Sequence, residues 1–252
     1  DVGATTAGSI FDARSLTIDT GTMGTISFQG DDASGAMGAV DDVMPTADGN
    51  ETWDVLGASD RSGATAELGA LGSANSNNML KYSSGSLVDG VTVNASYTPS
   101  DGSTEVESST DFAVEYTGYE GLTLGFAVGE DNAIAGTGSF DLSTMYVKYT
   151  MGAISVGYQT SEIDAGTAAT TDETVGMGIS YAVSDDFSIS YGSHTVDYGD
   201  LTTDQESTGF SASYTMGGMT IAGAINSTDS VAGSTTAAND KDSYELNLSF
   251  AF

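Results

Sequence analysis

The sequence predicts an all-β protein, specifically an antiparallel up-and-down β-barrel of the transmembrane kind. Three observations predict it: apolar residues recur at every second position, short and long connections alternate, and no segment shows convincing helical periodicity. A period of two places apolar and polar side chains on opposite faces of a strand. A wall between lipid and a water-filled lumen needs this division of faces.

Thirteen strands are predicted, each from apolar residues at alternating positions. Their apolar faces begin, in order, with Leu16, Ile26, Leu80, Val91, Phe112, Leu122, Met145, Ile154, Val175, Phe187, Phe210, Met219 and Tyr244. Short links lie near residues 20–22, 88–90, 118–121, 152, 184–186 and 217–218. Long links lie at 30–77, 99–109, 130–143, 161–172, 199–206 and 228–242. Regular alternation of this kind is typical of bacterial barrels, which have tight turns on one side of the membrane and longer loops on the other.

The last strand, residues 242–252, shows the pattern most clearly. Its apolar face consists of Tyr244, Leu246, Leu248, Phe250 and Phe252, and the opposite face is mostly polar. We therefore predict that this segment is the closing strand of the barrel. Taken alone, a strand of a soluble sandwich would alternate in the same way.

Composition excludes several classes of protein. The chain has 36 acidic and 5 basic residues, a net charge of −31 and no cysteine. The absence of cysteine excludes a disulfide framework, and the charge argues against nucleic acid or anionic lipid as partners. Most apolar residues stand singly between polar ones, which predicts a wall one residue thick without a packed centre. No apolar run is long enough for a transmembrane helix or a signal peptide, so we expect Asp1 to begin a mature or truncated chain.

The odd number of strands leads to a further expectation. Bacterial single-chain barrels have an even number of strands with both termini on the periplasmic side. We therefore expect that an odd number of strands precedes Asp1 and that residues 1–12 are the remnant of an extracellular loop.

Two internal motifs and the closing strand carry a resemblance to a known family. Residues 14–30 read R-S-L-T-I-D-T-G-T-M-G-T-I-S-F-Q-G, and residues 77–90 read N-N-M-L-K-Y-S-S-G-S-L-V-D-G. The chain resembles Gram-negative general diffusion porins of the alphaproteobacterial type, with Ser84-Gly85 departing from their Ser-Pro. The resemblance implies one porin domain over 1–252, with thirteen strands present of sixteen, in the bacterial outer membrane. It also implies outer-membrane lipid, the barrel-assembly machinery and a homotrimer as partners, with the apolar residues of the closing strand as the assembly signal.

By the same resemblance, residues 31–76 are the constriction loop that folds back into the barrel and narrows the pore. Its charged residues are Asp31, Asp32, Asp41, Asp42, Asp48, Glu51, Asp54, Asp60, Arg61 and Glu67. Acids at a constriction favour cations over anions. The predicted lumen-facing wall residues are Lys81, Glu115, Tyr146, Lys148 and Glu245. We therefore predict a water-filled, cation-preferring channel for small hydrophilic solutes.

Other site chemistries find less support. Asp41 and Asp42, or Asp31 and Asp32, offer carboxylate oxygens to Ca²⁺, although no calcium-loop motif is present. Trp53 is interpreted as a packing anchor of the loop, and His194 has no nucleophilic partner in the sequence. No catalytic triad, zinc spacing or phosphate loop appears, so no enzyme activity is expected. Two alternatives stay open: a substrate-specific channel on the same barrel, and an acidic extracellular surface protein or adhesin that never inserts.

Overall fold

A computed structural model describes residues 14–30, 35–40, 43–50, 78–85, 88–100, 108–131, 140–164 and 171–251. In these ranges, thirteen strands form one sheet in which every strand pairs antiparallel with its neighbours in sequence. The predicted all-β antiparallel class is confirmed. The strands are β1 (Ser15–Asp19), β2 (Thr25–Gln29), β3 (Met79–Ser83), β4 (Val91–Thr98), β5 (Ser109–Tyr119), β6 (Leu122–Asp131), β7 (Phe140–Met151), β8 (Ile154–Asp164), β9 (Thr171–Ala182), β10 (Phe187–Tyr198), β11 (Gln205–Met216), β12 (Met219–Asp229) and β13 (Lys241–Phe250).

The two faces of the sheet differ as the alternation predicts. On β7, Met145, Val147 and Tyr149 are exposed, whereas Thr144 and Tyr146 are buried. We call the face with the exposed apolar side chains the outer face and the opposite one the inner face. The faces of the other strands follow from the register, because residues directly opposite each other on paired strands share a face. One row of the outer face contains Tyr149, Val156, Ile179 and Tyr191.

Tight turns close one end of the sheet. Two-residue links join β7 to β8 and β11 to β12, and their first residues, Gly152 and Gly217, have φ of 62°. Glycine suits these positions because other residues rarely adopt positive φ. Because consecutive strands run antiparallel, successive links alternate between the two ends of the sheet, and the long links join strands at the opposite end.

In the described residues, the remaining regular structure consists of short 3₁₀ turns at Gly21–Met23, Met37–Ala39, Val231–Gly233 and Ala237–Asn239. Within the described ranges, no helix has the length and apolar character needed to cross a membrane. The first and last described strands, β1 and β13, are the two ends of the sheet. Residues 1–12 lie outside the described ranges, and a total of sixteen strands stays a prediction.

A packed cluster lies on the inner face, so the prediction of a wall without a packed centre is wrong there. Buried apolar residues from the connection between β2 and β3 pack against buried residues of β5, β6 and β7. The cluster contains Ala36, Met37, Val40, Met44, Ala113, Ala127, Leu142 and Tyr146. The sequence pattern missed it because its members come from segments far apart in the chain, and two of its four strand residues, Ala113 and Ala127, are small.

Candidate functional site

Residues 35–40 and 43–50, which we call the inner segment, cross the inner face of the sheet. The crossing begins at β3, where the Lys81 ammonium donates to the carbonyl of Gly35 at 3.1 Å. On β4, the Ser96 hydroxyl accepts a hydrogen bond of 2.9 Å from the backbone N–H of Ala36. The same hydroxyl donates to the Asp111 carboxylate of β5 at 2.9 Å. One end of the inner segment is thus hydrogen-bonded to β3 and β4, and Asp111 of β5 holds the Ser96 hydroxyl that accepts from it.

The middle of the inner segment is held by apolar contact. Met37 is 1% exposed, and its sulfur lies so near β6 that a Cβ on Gly129 would approach it to 2.8 Å. Further along, the Gln159 side chain of β8 donates to the carbonyl of Val40 at 3.4 Å. Burial of Met37 and Val40 stabilises the attachment here, since removing apolar area from water is favourable.

Met44 and Pro45 continue the crossing over β8 and β9. Both are buried, and they lie against Gly157 and Gly178, which face each other across the two strands. The next contact is polar. The N–H of Ala47 donates to the hydroxyls of Ser190 on β10 and Ser211 on β11, at 2.9 and 3.3 Å.

The far end of the inner segment reaches β13. The Asn50 side-chain amide donates to both carboxylate oxygens of Glu245 at 3.3 Å, and Asn247 donates to the same carboxylate at 2.6 Å. Close by in sequence, both carboxylate oxygens of Asp48 are buried and accept no hydrogen bond from the described residues. The inner segment therefore spans the sheet from β3 to β13.

The predicted wall residues all lie on the inner face, but their surroundings differ. Tyr146 donates to the Glu115 carboxylate at 2.6 Å, and its ring lies across Gly125 on the neighbouring strand. Tyr146 is only 4% exposed, so it is covered by packing and is not open to the lumen. Lys148 is half-buried beside Gly157.

Most of the predicted acidic loop falls outside the described ranges. Of its charged residues, only Asp48 is described. Those outside are Asp31, Asp32, Asp41, Asp42, Glu51, Asp54, Asp60, Arg61 and Glu67. Trp53 is also outside. Ca²⁺ binding at Asp41 and Asp42 stays a prediction, and the described residues contain no group of three or more metal-ligating side chains.

The apolar residues of the closing strand project from the outer face of β13. Tyr244, Leu246, Leu248 and Phe250 are exposed there, and Phe252 lies outside the described ranges. His194, which carried no predicted role, is buried on the inner face of β10.

Sequence reasoning missed the polar residues that hold the inner segment. The alternation pattern assigns Ser96, Asp111, Gln159, Ser190 and Ser211 to the polar face and gives them no further role. The face of the sheet on which each of them lies was predictable from the alternation in the sequence. Their hydrogen-bond partners were not, because the hydrogen bonds to the inner segment join residues 46 to 195 positions apart in the chain.

Comparison with known proteins identifies this architecture. The family model for Gram-negative porins matches residues 1–252. The chain belongs to the Gram-negative porin family. It is thus an outer-membrane protein of the channel-forming class, and membership argues against the alternative of a surface protein that never inserts. No curated protein matches the chain significantly.

Solved structures show the same fold at low sequence identity. The anion-selective porin from Comamonas acidovorans is 12% identical with a TM-score of 0.69, and the match covers 95% of this chain and 77% of that one. OmpT of Vibrio cholerae is 16% identical with a TM-score of 0.62, covering 94% and 78%. A triple mutant of Rhodopseudomonas blastica porin is 18% identical with a TM-score of 0.61, covering 100% and 80%. These porins share the sheet architecture described above.

Proposed function

We propose that this porin is a cation-preferring channel for passive diffusion of small hydrophilic solutes, narrowed by the inner segment. The observation that supports the narrowing is the course of that segment, which crosses the inner face from β3 to β13 and is hydrogen-bonded at both ends. A chain segment held inside a porin wall reduces the open cross-section at that level. Solutes would pass on the side of the segment that faces away from the wall.

Charge supports the preference for cations. The chain carries a net charge of −31, and Asp111, Glu115 and Glu245 lie on the inner face. Two basic side chains of the described wall, Lys81 and Lys148, lie on the same face, and Lys81 keeps its charge while it donates to the carbonyl of Gly35. A negative potential in a narrow aqueous passage concentrates cations and repels anions.

The fold alone does not determine this preference, since one porin of similar fold is anion-selective. Selectivity instead follows the charges along the passage, and this chain shares only 12% of its residues with that porin. The acidic residues of 31–76 add to the inner-face acids in the proposed channel.

The reversal potential across a salt gradient tests the proposal. Purified protein in planar bilayers separating 0.1 M from 1 M KCl should give a reversal potential of the sign expected for K⁺ permeation. The preference should fade when both solutions are concentrated, because the Debye length falls from about 10 Å at 0.1 M to about 3 Å at 1 M. Joint replacement of Asp41, Asp42, Asp48, Glu51 and Asp54 by the corresponding amides should reduce it. A wild-type channel that prefers chloride would contradict the proposal.

We also propose that the protein assembles as a homotrimer and that the barrel-assembly machinery recognises the outer face of β13. The exposed apolar row of Tyr244, Leu246, Leu248 and Phe250 on β13 supports the second proposal. Chemical cross-linking in detergent should yield a trimer band, and monomer bands alone would contradict the first.

A further inference from the structure

Four glycines lie side by side on the inner face. Gly157 of β8 is opposite Gly178 of β9, Gly178 is opposite Gly192 of β10, and Gly192 is opposite Gly209 of β11. We call these four residues the glycine track. Glycine weakens a strand interior because it loses more backbone entropy and has no side chain to pack. Four glycines in register across four strands therefore indicate that something must approach the backbone closely there.

The inner segment makes this close approach to the glycine track. A Cβ built on Gly157 would lie 2.6 Å from Cδ of Pro45 and 2.9 Å from the sulfur of Met44. On Gly178 it would lie 3.0 Å from Cδ and 3.1 Å from the carbonyl oxygen of Pro45. Carbon atoms in good contact are about 3.5–4.0 Å apart. A side chain at Gly157 would force Pro45 or Met44 to move, and one at Gly178 would require a shift of a few tenths of an ångström.

A row of serines beside the track fixes the polar groups of the same segment. Ser180, Ser190 and Ser211 are opposite one another on β9, β10 and β11. The hydroxyls of Ser190 and Ser211 lie 2.6 Å apart, and both accept from the N–H of Ala47. The row continues through Ala224 to Glu245, which accepts from Asn50.

The two rows together match the course of the inner segment. Its apolar residues Met44 and Pro45 lie over glycines, and its polar groups at Ala47 and Asn50 meet the row of serines and Glu245 next to them. The segment meets the glycine row on β8 and β9, and it meets the row of serines and Glu245 on β10, β11 and β13. The register of the sheet therefore sets both where the segment lies and how near it lies to the wall.

We propose that the glycine track, through Gly157 and Gly178, determines the width of the pore by setting the distance between the inner segment and the wall. This rests on the proposed function, in which that segment narrows the channel. A methyl group at Gly157 would push Pro45 away by about 1 Å to restore an ordinary contact distance. The displacement is directed away from the wall, into the passage.

Channel recordings give the first test. Single-channel conductance should fall for Gly157→Ala and Gly178→Ala and fall further for Gly178→Val. Ala212→Val serves as the control, because it adds methyl groups to the outer face of β11 and should leave conductance unchanged. Pro45→Ala removes Cδ, so the double variant Gly157→Ala/Pro45→Ala should recover most of the conductance that Gly157→Ala loses relative to Pro45→Ala.

A second readout does not depend on current. The chain has no cysteine, so a pair introduced as Ala47→Cys and Ser190→Cys reports on the distance between the inner segment and the wall. Oxidation should form a disulfide readily in this background and more slowly when Gly178→Val is added. If Gly178→Val does not assemble, the Gly157→Ala series with and without Pro45→Ala is measured in its place.

The outcomes separate the two proposals. Lower conductance together with slower disulfide formation in the track variants, both relieved by Pro45→Ala in Gly157→Ala, would support the glycine track. Assembled track variants that conduct and form the disulfide like their parents would overturn it. Protein that forms the disulfide readily but passes no current would instead overturn the proposed channel, and with it the statement about pore width.

Discussion

A charge placed at the middle of the outer face should destabilise the protein strongly, and Ile179 on β9 is the position to test. Ile179 is 45% exposed on the outer face, opposite Val156 and Tyr191 in register. Its strand runs from Thr171 to Ala182. Acidic residues stand at the long-link end of the same face, where Glu173 is opposite Glu162 and Asp197.

The geometry of β9 places Ile179 well inside the membrane. The nine residue steps from Glu173 to Ala182, at about 3.3 Å each, extend about 30 Å along the strand. A strand tilt of about 40° reduces this to a height of about 23 Å, close to the apolar band of about 25 Å in outer-membrane barrels. By the same arithmetic, Ile179 lies about 15 Å from Glu173 in height, measured along the membrane normal. Ile179→Arg should therefore cost about 2–4 kcal/mol, the range for arginine near the bilayer midplane.

The assay is urea unfolding of protein folded into lipid vesicles, followed by tryptophan fluorescence and by heat-modifiable migration on gels. The matched control is Glu173→Arg, which puts the same side chain on the same face of the same strand at the membrane edge. Its cost should be no more than about 1 kcal/mol. Equal losses in unfolding free energy for the two variants would refute the placement of this face in lipid.

Two further predictions use the same unfolding assay. Tyr146→Phe removes the 2.6 Å hydrogen bond to Glu115 and should cost about 1.5–3 kcal/mol, as for hydrogen bonds to charged groups. Tyr149→Phe, on the outer face of the same strand, is the control, and equal losses for the two would show that the Glu115 contact contributes nothing. Leu248→Arg should impair assembly, measured as heat-modifiable migration on gels, because Leu248 is on the outer face opposite Ile221. Asn247→Arg, on the inner face, should assemble normally. Equal tolerance of both variants would contradict the assignment of the faces.

The sequence predicted the strands and their faces because alternation is a local signal. Residues such as Leu122, Leu124 and Phe126 determine the outer face of β6 without reference to any other segment. The alternation did not predict the irregularity between β5 and β6, where the register shifts between Tyr116 and Tyr119. A bulge depends on the partner strand, which a single strand's pattern does not contain.

The inner segment was predictable only in outline. Its length indicated a functional connection, and its acids drew attention, but the described contacts are made largely by Met37, Met44, Pro45 and backbone groups. The glycines of the track were visible at inner-face positions. Their alignment was not, because register across β8 to β11 depends on the length and geometry of each link. Sequence phase thus identifies which residues face inwards, and only the paired sheet shows which of them meet.

Modification of a single cysteine by a charged thiol reagent tests most directly whether the inner face lines a water-filled pore. The chain has no cysteine, and the neighbouring residues Val147 and Lys148 of β7 lie on the outer and inner faces. A membrane-impermeant methanethiosulfonate added during recording should reduce the current through Lys148→Cys channels and leave Val147→Cys channels unchanged. Current block at Val147→Cys with no effect at Lys148→Cys would contradict the account.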